Sequence, residues 1–465
     1  MASKKDESYP LPSVDLIRLP PSPNYKNLEG LKGKLSMAPW FDVIALNIVA
    51  RWYCPLSRAW AAATISGGSP EFFGNEIAAS GLNSSQYLRV LNKVSKSNQE
   101  FSELCNTWET CFFDRENPNP NDLIESQISV VAGEHRQLSM RRYFFSLRRH
   151  IQPLKLSVAT PHDVESIHLN RLKENPFPSP PTAKIERSAS VYGEWGEEFH
   201  LKMPAPCCTK NDIVRAQVFM PQDGNIKGTF ICLHGILIEP AMWNNLAYPV
   251  KALTREGIRV VLPTGPWHGR RTPKGQFGGE NILRCGPLGF IEALRKWVPE
   301  VALWTRWARS TSPSPVGLGG VSLGGLCAQL ASTAAHDWPN SDRHDALLLI
   351  TTSGDMNDVA FNSNIGEKLN LTKEIKRKGW TRQTLKRWLP LLQPTMRPPL
   401  MRKKIAMLLG SADRLTPFDG GLLLSKNWEV PEENLFIRRQ GHFTGALGLS
   451  HDSTPLKRFV EILLE

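Results

Sequence analysis

The chain has 465 residues, with 56 Lys and Arg against 44 Asp and Glu and a formal net charge of +12. That length exceeds one ordinary domain and leads us to expect one catalytic domain plus an appendage. No stretch interleaves aromatic and basic residues regularly, so nucleic acid is excluded as the expected partner.

The charge is uneven. Met1 to Ile185 carries 21 basic and 18 acidic residues and the remainder 35 against 26, with two-thirds of that +9 between Glu367 and Arg387. The eight cysteines form no C-x-x-C pair and no Cys/His spacing suited to zinc, which fits a reducing compartment and no metal. The opening Met-Ala-Ser-Lys-Lys-Asp-Glu lacks an apolar core, so a cytoplasmic location is expected. Met37 to Ala50 is the most apolar run, but it is short and contains Asp42, whereas a spanning helix needs about 20 apolar residues.

In chain order, residues 1–35 are polar and proline-punctuated, an extended arm. Residues 36–185 read as a helical appendage, with pieces at Phe41 to Tyr53, Leu56 to Ile65, Ser84 to Lys96, Glu100 to Phe113 and Ser139 to Ile151. In the last, Met140, Tyr143, Phe144, Leu147 and Ile151 share one face and Arg141, Arg142, Arg148 and Arg149 occupy the others. Such a helix either packs its apolar face on the body, the favoured reading, or lies on an anionic membrane surface.

Pro176-Phe-Pro-Ser-Pro-Pro181 breaks regular structure and marks the boundary. From about 186 to the end, strands and helices alternate. Glu197 to Met203 and Val214 to Met220 form an antiparallel pair, followed by strands Gly228 to Leu233 and Ile258 to Leu262 and the strand entering Val316 to Val321. Strands Ala346 to Ile350, Ile405 to Leu409 and Asn434 to Ile437 come next. Helices are expected at Met242 to Glu256, Leu288 to Ala308 and Pro455 to Leu464. This alternation implies a doubly wound, mostly parallel sheet.

Gly320-Val-Ser-Leu-Gly324 lies between an apolar strand and a small-residue helix, the pattern of a nucleophile elbow. Glycines two residues either side of Ser322 allow strand and helix to approach closely. Asp413, in Gly410-Ser-Ala-Asp413, and His442, in Gln440-Gly-His442, each follow a strand, in the order Ser, acid, His. Ser322 is thus the nucleophile, His442 the base and Asp413 its orienting acid. Asp355, in Ser353-Gly-Asp355, is an alternative acid. An oxyanion needs two fixed N–H donors; Leu323 offers one, and Ile236 or Leu237, after His234-Gly235, the other. Trp243, Trp267 and His268 are candidate substrate-binding residues, His268 lining the cleft or organising its loop.

The motifs HG (234–235), GVSLG (320–324), SADRLTP (411–417) and GH (441–442) resemble the α/β-hydrolase superfamily. GVSLGG, the Pro266 to Lys274 loop and Gln440-Gly-His442 are more loosely similar to the abhydrolase-domain-containing protein 18 family and to bacterial esterase-like relatives. The fold implied is an α/β-hydrolase sheet with a helical cap insertion and an N-terminal helical appendage. The activity implied is acyl-ester or lipid hydrolysis.

The cap is placed at about 356–401. Its Lys368, Lys373, Lys376, Arg377, Lys378, Arg382, Lys386 and Arg387 are interspersed with Trp380, Leu385, Trp388 and Leu389. They form either a solvated face or a lid that meets anionic lipid or an acidic substrate. We therefore expect a serine hydrolase of small-molecule or lipid esters, needing no metal or organic cofactor, with peripheral membrane contact as an open alternative to a purely cytoplasmic location. Its rivals are a thioesterase, amidase or acyltransferase on the same triad, and a non-catalytic binding protein.

Overall fold

The computed structural model describes residues 38–77, 87–114, 118–172, 175–193, 196–207, 212–239 and 250–465. Its nine strands are β1 (Glu186–Gly193), β2 (Gly196–Pro204), β3 (Ile213–Phe219), β4 (Gly228–Leu233), β5 (Ile258–Pro263), β6 (Val316–Val321), β7 (Ala346–Ile350), β8 (Ile405–Gly410) and β9 (Leu435–Arg438). They form one sheet in the order β1-β2-β3-β5-β4-β6-β7-β8-β9. Pairing is antiparallel from β1 through β3 to β5 and parallel from β5 through β4 to β9. Strands β4 to β8 are buried at every residue, as helices on both faces of a parallel sheet require. The expected strands all form within one or two residues. β1 is an addition: its Glu-Arg-Ser-Ala-Ser start carries little apolar signal because it is an edge strand with few fully buried positions.

The order β5-β4-β6 puts the carboxyl ends of β4 and β6 side by side, with Leu233 opposite Gly320. The two loops that leave those ends, at His234 and Ser322, therefore face each other. On one face of the sheet, a helix at Pro287–Thr311, another at Leu323–Ala334 and the 356–401 segment share a core with Leu154, Val158, Val164 and Phe177 from upstream of the sheet. On the other, Leu456, Phe459, Ile462 and Leu463 of the helix Thr454–Leu464 cover Phe230, Leu348 and Leu408. Of the expected Met242 to Glu256 helix, the described part runs Val250–Arg255.

Upstream helices include α1 (Pro39–Ile48), α2 (Cys54–Ile65), α3 (Leu88–Glu109) and α4 (Pro120–Met140), with shorter ones at Pro70–Ile77 and Pro161–His168. A π-helical turn, Val49–Tyr53, joins α1 to α2. The two pieces expected at 84–96 and 100–113 are one helix. The polar stretch between them holds neither Gly nor Pro, and Ser97 is buried against Gln137, whose side-chain amide donates to the Ser97 carbonyl at 2.9 Å. After α4 the chain tightens into a 3₁₀ helix, Arg141–Leu147. Met140, Phe144, Leu147 and Ile151 bury against Ala59, Phe73, Leu91 and Val94, so this face packs within the helical appendage itself and not, as expected, on the hydrolase body. Arg141, expected on an outer face, is buried instead. It donates to Glu239 at 2.7 Å and lies over the rings of Tyr53 and Trp60. Its guanidinium gains a carboxylate in place of water. Among the described residues no helix is long and apolar enough to cross a membrane.

Candidate active site

The elbow is built as its spacing requires. Ser322 has φ 56° and ψ −118°, a conformation costly for a side-chain-bearing residue. Its amide donates to the Ile350 carbonyl at 3.0 Å, which fixes the turn against β7. A Cβ on Gly320 would overlap the backbone of Gly324, and one on Gly324 would overlap the Leu233 carbonyl. Both positions must therefore lack a side chain for the serine to stand where it does.

Asp413 and His442 meet across the ends of β8 and β9. His442 Nδ1 lies 2.8 Å from Asp413 Oδ2. The other carboxylate oxygen, Oδ1, accepts the amides of Leu415 at 2.9 Å and Thr416 at 3.0 Å. Four donors in all hold the aspartate, because the Thr416 hydroxyl also lies 2.8 Å from Oδ2. That hydroxyl is 3.1 Å from His442 Nδ1 as well, a bridging position that motif spacing alone does not reveal. Burial disfavours the charged form of His442, but Asp413, by its charge and its hydrogen bond, and Asp42 outweigh it, so the imidazole is held above its ordinary range. Asp355 is occupied elsewhere: its carboxylate accepts the amide of Asp358 at 3.1 Å and caps the helix Met356–Asn362.

Ser322 opens into a pocket of about 920 Å³ of empty space, counted out to its open mouth. Its walls are almost wholly apolar, with Leu283, Phe290, Leu326, Leu371, Ile375 and Leu385 among them. Thr416, whose hydroxyl touches both Asp413 and His442, lines the same pocket, while Asp413 and His442 themselves do not. Among the described residues no hydrogen bond joins Ser322 Oγ to His442, a contact that in unliganded hydrolases often tightens only around substrate.

Of the oxyanion candidates, Leu323 and Ile236 line the pocket beside Ser322. The ideal Cβ position on Gly235 is only 3.5 Å from Ser322 Cβ, so the two loops touch. Leu237 turns away. It has φ 62°, its amide lies against Gly279 and its carbonyl accepts the Tyr53 hydroxyl at 3.2 Å.

Trp267 and His268 do not line this pocket. The Trp267 ring carries Lys296 Nζ 5.1 Å from its centroid. His268 is buried behind the loop at 234–239, its Nδ1 donating to the Pro266 carbonyl at 2.9 Å and its ring 4.6 Å from that of His234. Burial holds His268 down to about 4 and, with His268 beside it, His234 to about 3, so both rings are neutral spacers. His234 organises the site: its Nε2 accepts the Gly265 amide at 2.9 Å and its Nδ1 donates to the Gly235 carbonyl at 2.8 Å. Trp243 lies outside the described residues.

Residues 184–341, which include Ser322 but neither Asp413 nor His442, match the family described as alpha/beta hydrolase domain containing 18. A comparison with curated proteins gives no match. Among solved structures the chain is similar to acetyl xylan esterase 1 from a Thermoanaerobacterium species, at 14% identity over 64% of this chain and 97% of that one, TM-score 0.41. It is also similar to a cold-adapted esterase from an Arctic intertidal metagenomic library, at 17% identity over 56% and 93%, TM-score 0.36. A thermostable carboxyl esterase from Bacillus coagulans matches at 12% identity over 58% and 99%, TM-score 0.37. By its sheet order and its elbow the chain has an α/β-hydrolase fold, and over residues 184–341 it is similar to the family of alpha/beta hydrolase domain containing 18.

Proposed function

We propose that the protein is a serine hydrolase that cleaves carboxylic esters of apolar acyl chains through an acyl-enzyme on Ser322. The observation that carries this is the juxtaposition of Ser322 with a pocket walled by aliphatic side chains, into which Thr416 of the Asp413–His442 cluster also faces. His442 takes the Ser322 proton as Oγ attacks the ester carbonyl, and Asp413 holds the Nδ1–H tautomer and stabilises the imidazolium. The amides of Leu323 and Ile236 receive the developing oxyanion. His442 then protonates the departing alcohol and activates the water that releases the acid.

The 356–401 segment suits a lipid-like ester on both faces. Leu371, Ile375 and Leu385 line the pocket, while Lys373, Lys376, Arg377, Arg382, Lys386 and Arg387 are exposed. A cationic outer face draws the enzyme to an anionic surface, and activity on vesicle-borne esters should rise with anionic lipid content. The decisive experiment is fluorophosphonate labelling of wild type beside Ser322→Ala, then p-nitrophenyl esters of rising chain length. Labelling lost in the variant and turnover that increases with chain length support the reading. An unlabelled, folded wild type overturns it.

A further inference from the structure

Asp42 interrupts the apolar run of residues 37–50, and it does so on the buried side. Asp42, Leu46, Ala50 and Cys54, four residues apart, are all buried, the stripe one face of a helix presents. A carboxylate on such a stripe must find donors, and it finds them 401 residues away. The Phe443 amide donates to Oδ1 at 2.6 Å. The Thr444 amide donates to Oδ2 at 3.3 Å, and the Thr444 hydroxyl donates to the same oxygen. Thr444 Oγ1 in turn accepts the Gly441 amide at 2.8 Å. Gly441 itself packs so close that a Cβ there would overlap the Asp42 carboxylate. Every residue flanking His442 is thus fastened, directly or through one hydroxyl, to a single side chain from α1.

We propose that Asp42 is a positioning residue for the catalytic base: it fixes the loop 441–444 in the register that presents His442 to Asp413, so that α1 belongs to the frame of the active site. The inference rests on the hydrolase reading of Ser322, Asp413 and His442. The same helical run continues to Tyr53, whose hydroxyl holds the Leu237 carbonyl and approaches Glu239 Oε1, each at 3.2 Å. One segment, 42–53, therefore ties down the base loop at one end and the oxyanion loop at the other. The charged groups facing the imidazole are Asp413, on the loop after β8, and Asp42, on α1, and both favour its protonated form.

The test compares Asp42→Asn and Asp42→Ala with wild type. Asn keeps the shape and one acceptor while removing the charge, and because its NH2 then faces one of the former donors, its fold is first checked by circular dichroism. Two readouts are taken: the pH profile of kcat/KM for p-nitrophenyl butyrate, and the ¹⁵N titration of the His442 ring, assigned by its loss in His442→Gln. In Asp42→Asn both the acid limb and the ring titration should move to lower pH. In Asp42→Ala, kcat should fall about 10- to 100-fold with KM changed less than about threefold, the signature of a displaced base. A merely structural carboxylate would shift neither titration. Unmoved titrations in folded Asp42→Asn, with kcat within about twofold of wild type, overturn the inference while leaving Ser322 labelling, and so the hydrolase reading, intact. If wild type resists fluorophosphonate but the His442 titration still moves, the hydrolase reading falls and the Asp42 coupling stands. Should Asp42→Ala fail to fold, Asp42→Asn alone decides.

Discussion

From β4 to the C-terminus, each proposed reactive group sits just past the end of a strand: Ser322 after β6, Asp413 after β8 and His442 after β9. The helical region of residues 38–172 contributes no member of the triad, yet it holds the His442 loop through Asp42 to Phe443 and the proposed oxyanion loop through Tyr53 to Leu237. The first region places chemistry by local chain geometry. The second places it by contacts between residues 401 and 184 positions apart. The contrast teaches that a motif can specify where a group leaves the sheet without specifying what keeps its loop in place.

The largest effect expected lies in the motif-bearing region. Asp413→Asn should lower kcat by about 10⁴-fold, because the Nδ1 tautomer is lost while the Asn side chain still fills the site. Circular dichroism should show the native fold. A loss under about tenfold would mean that Asp413 does not orient the base, and the comparison would break at its stronger end.

The seam between the regions is next. Arg141→Ala strips Glu239 of its buried partner, and breaking such a pair costs roughly 3–5 kcal/mol. Urea unfolding should register that loss, and Arg141→Met combined with Glu239→Gln should recover much of it, since no lone charge is then left buried. If Arg141→Ala is as stable as wild type, the seam is not held by this pair and the helical layer has another anchor.

The sheet and the elbow were legible because their signals are local. β4 and β7 are unbroken apolar runs, and the glycines around Ser322 are where backbones touch. Arg141 was misplaced because helical periodicity assigned it to solvent, and nothing nearby in sequence announces Glu239, 98 residues on. Thr416 was visible as part of SADRLTP, but its bridge between Asp413 and His442 depends on the turn that follows Asp413. Asp42 did leave a trace, a lone charge in an otherwise apolar stretch. Trp267 lies off the pocket and His268 takes the second of its two readings, organising its loop, because a loop after a strand end can pack behind the neighbouring loop as readily as over the substrate.

Within the pocket the regions can be separated by specificity. Ile375 projects from the 356–401 segment into the cavity. Ile375→Trp should shorten it and shift the ratio of kcat/KM for long over short p-nitrophenyl esters by about tenfold toward the short ones, with little change for the acetate. An unchanged ratio would mean that the acyl chain does not run under this segment.

The smallest effect concerns pH and again divides the molecule. His200, His234, His268 and His344, all downstream of residue 185, are buried, and burial holds them to about 3, 3, 4 and 4. In the unfolded chain each takes up a proton near pH 6.5. Between about 6.5 and 4 the unfolded state therefore binds more protons at these four positions, and their contribution to stability falls as pH falls. His442 works in the opposite sense: its raised value contributes stability that is present at low pH and lost as pH rises through its folded value. Glu134 and Glu198, which burial raises to about 7, act in the same sense as His442, so the effect of one ring is read from its own variant and not from the net slope. His344, whose Nε2 lies 2.8 Å from Ser332 Oγ, does not line the Ser322 pocket. His344→Gln should flatten the dependence of unfolding free energy on pH between 6 and 5 by about 1.4 kcal/mol per pH unit, the value for one group titrating only when unfolded. A slope unchanged from wild type in urea titrations at those two pH values would show that this ring is already protonated or already exposed in the folded sheet region.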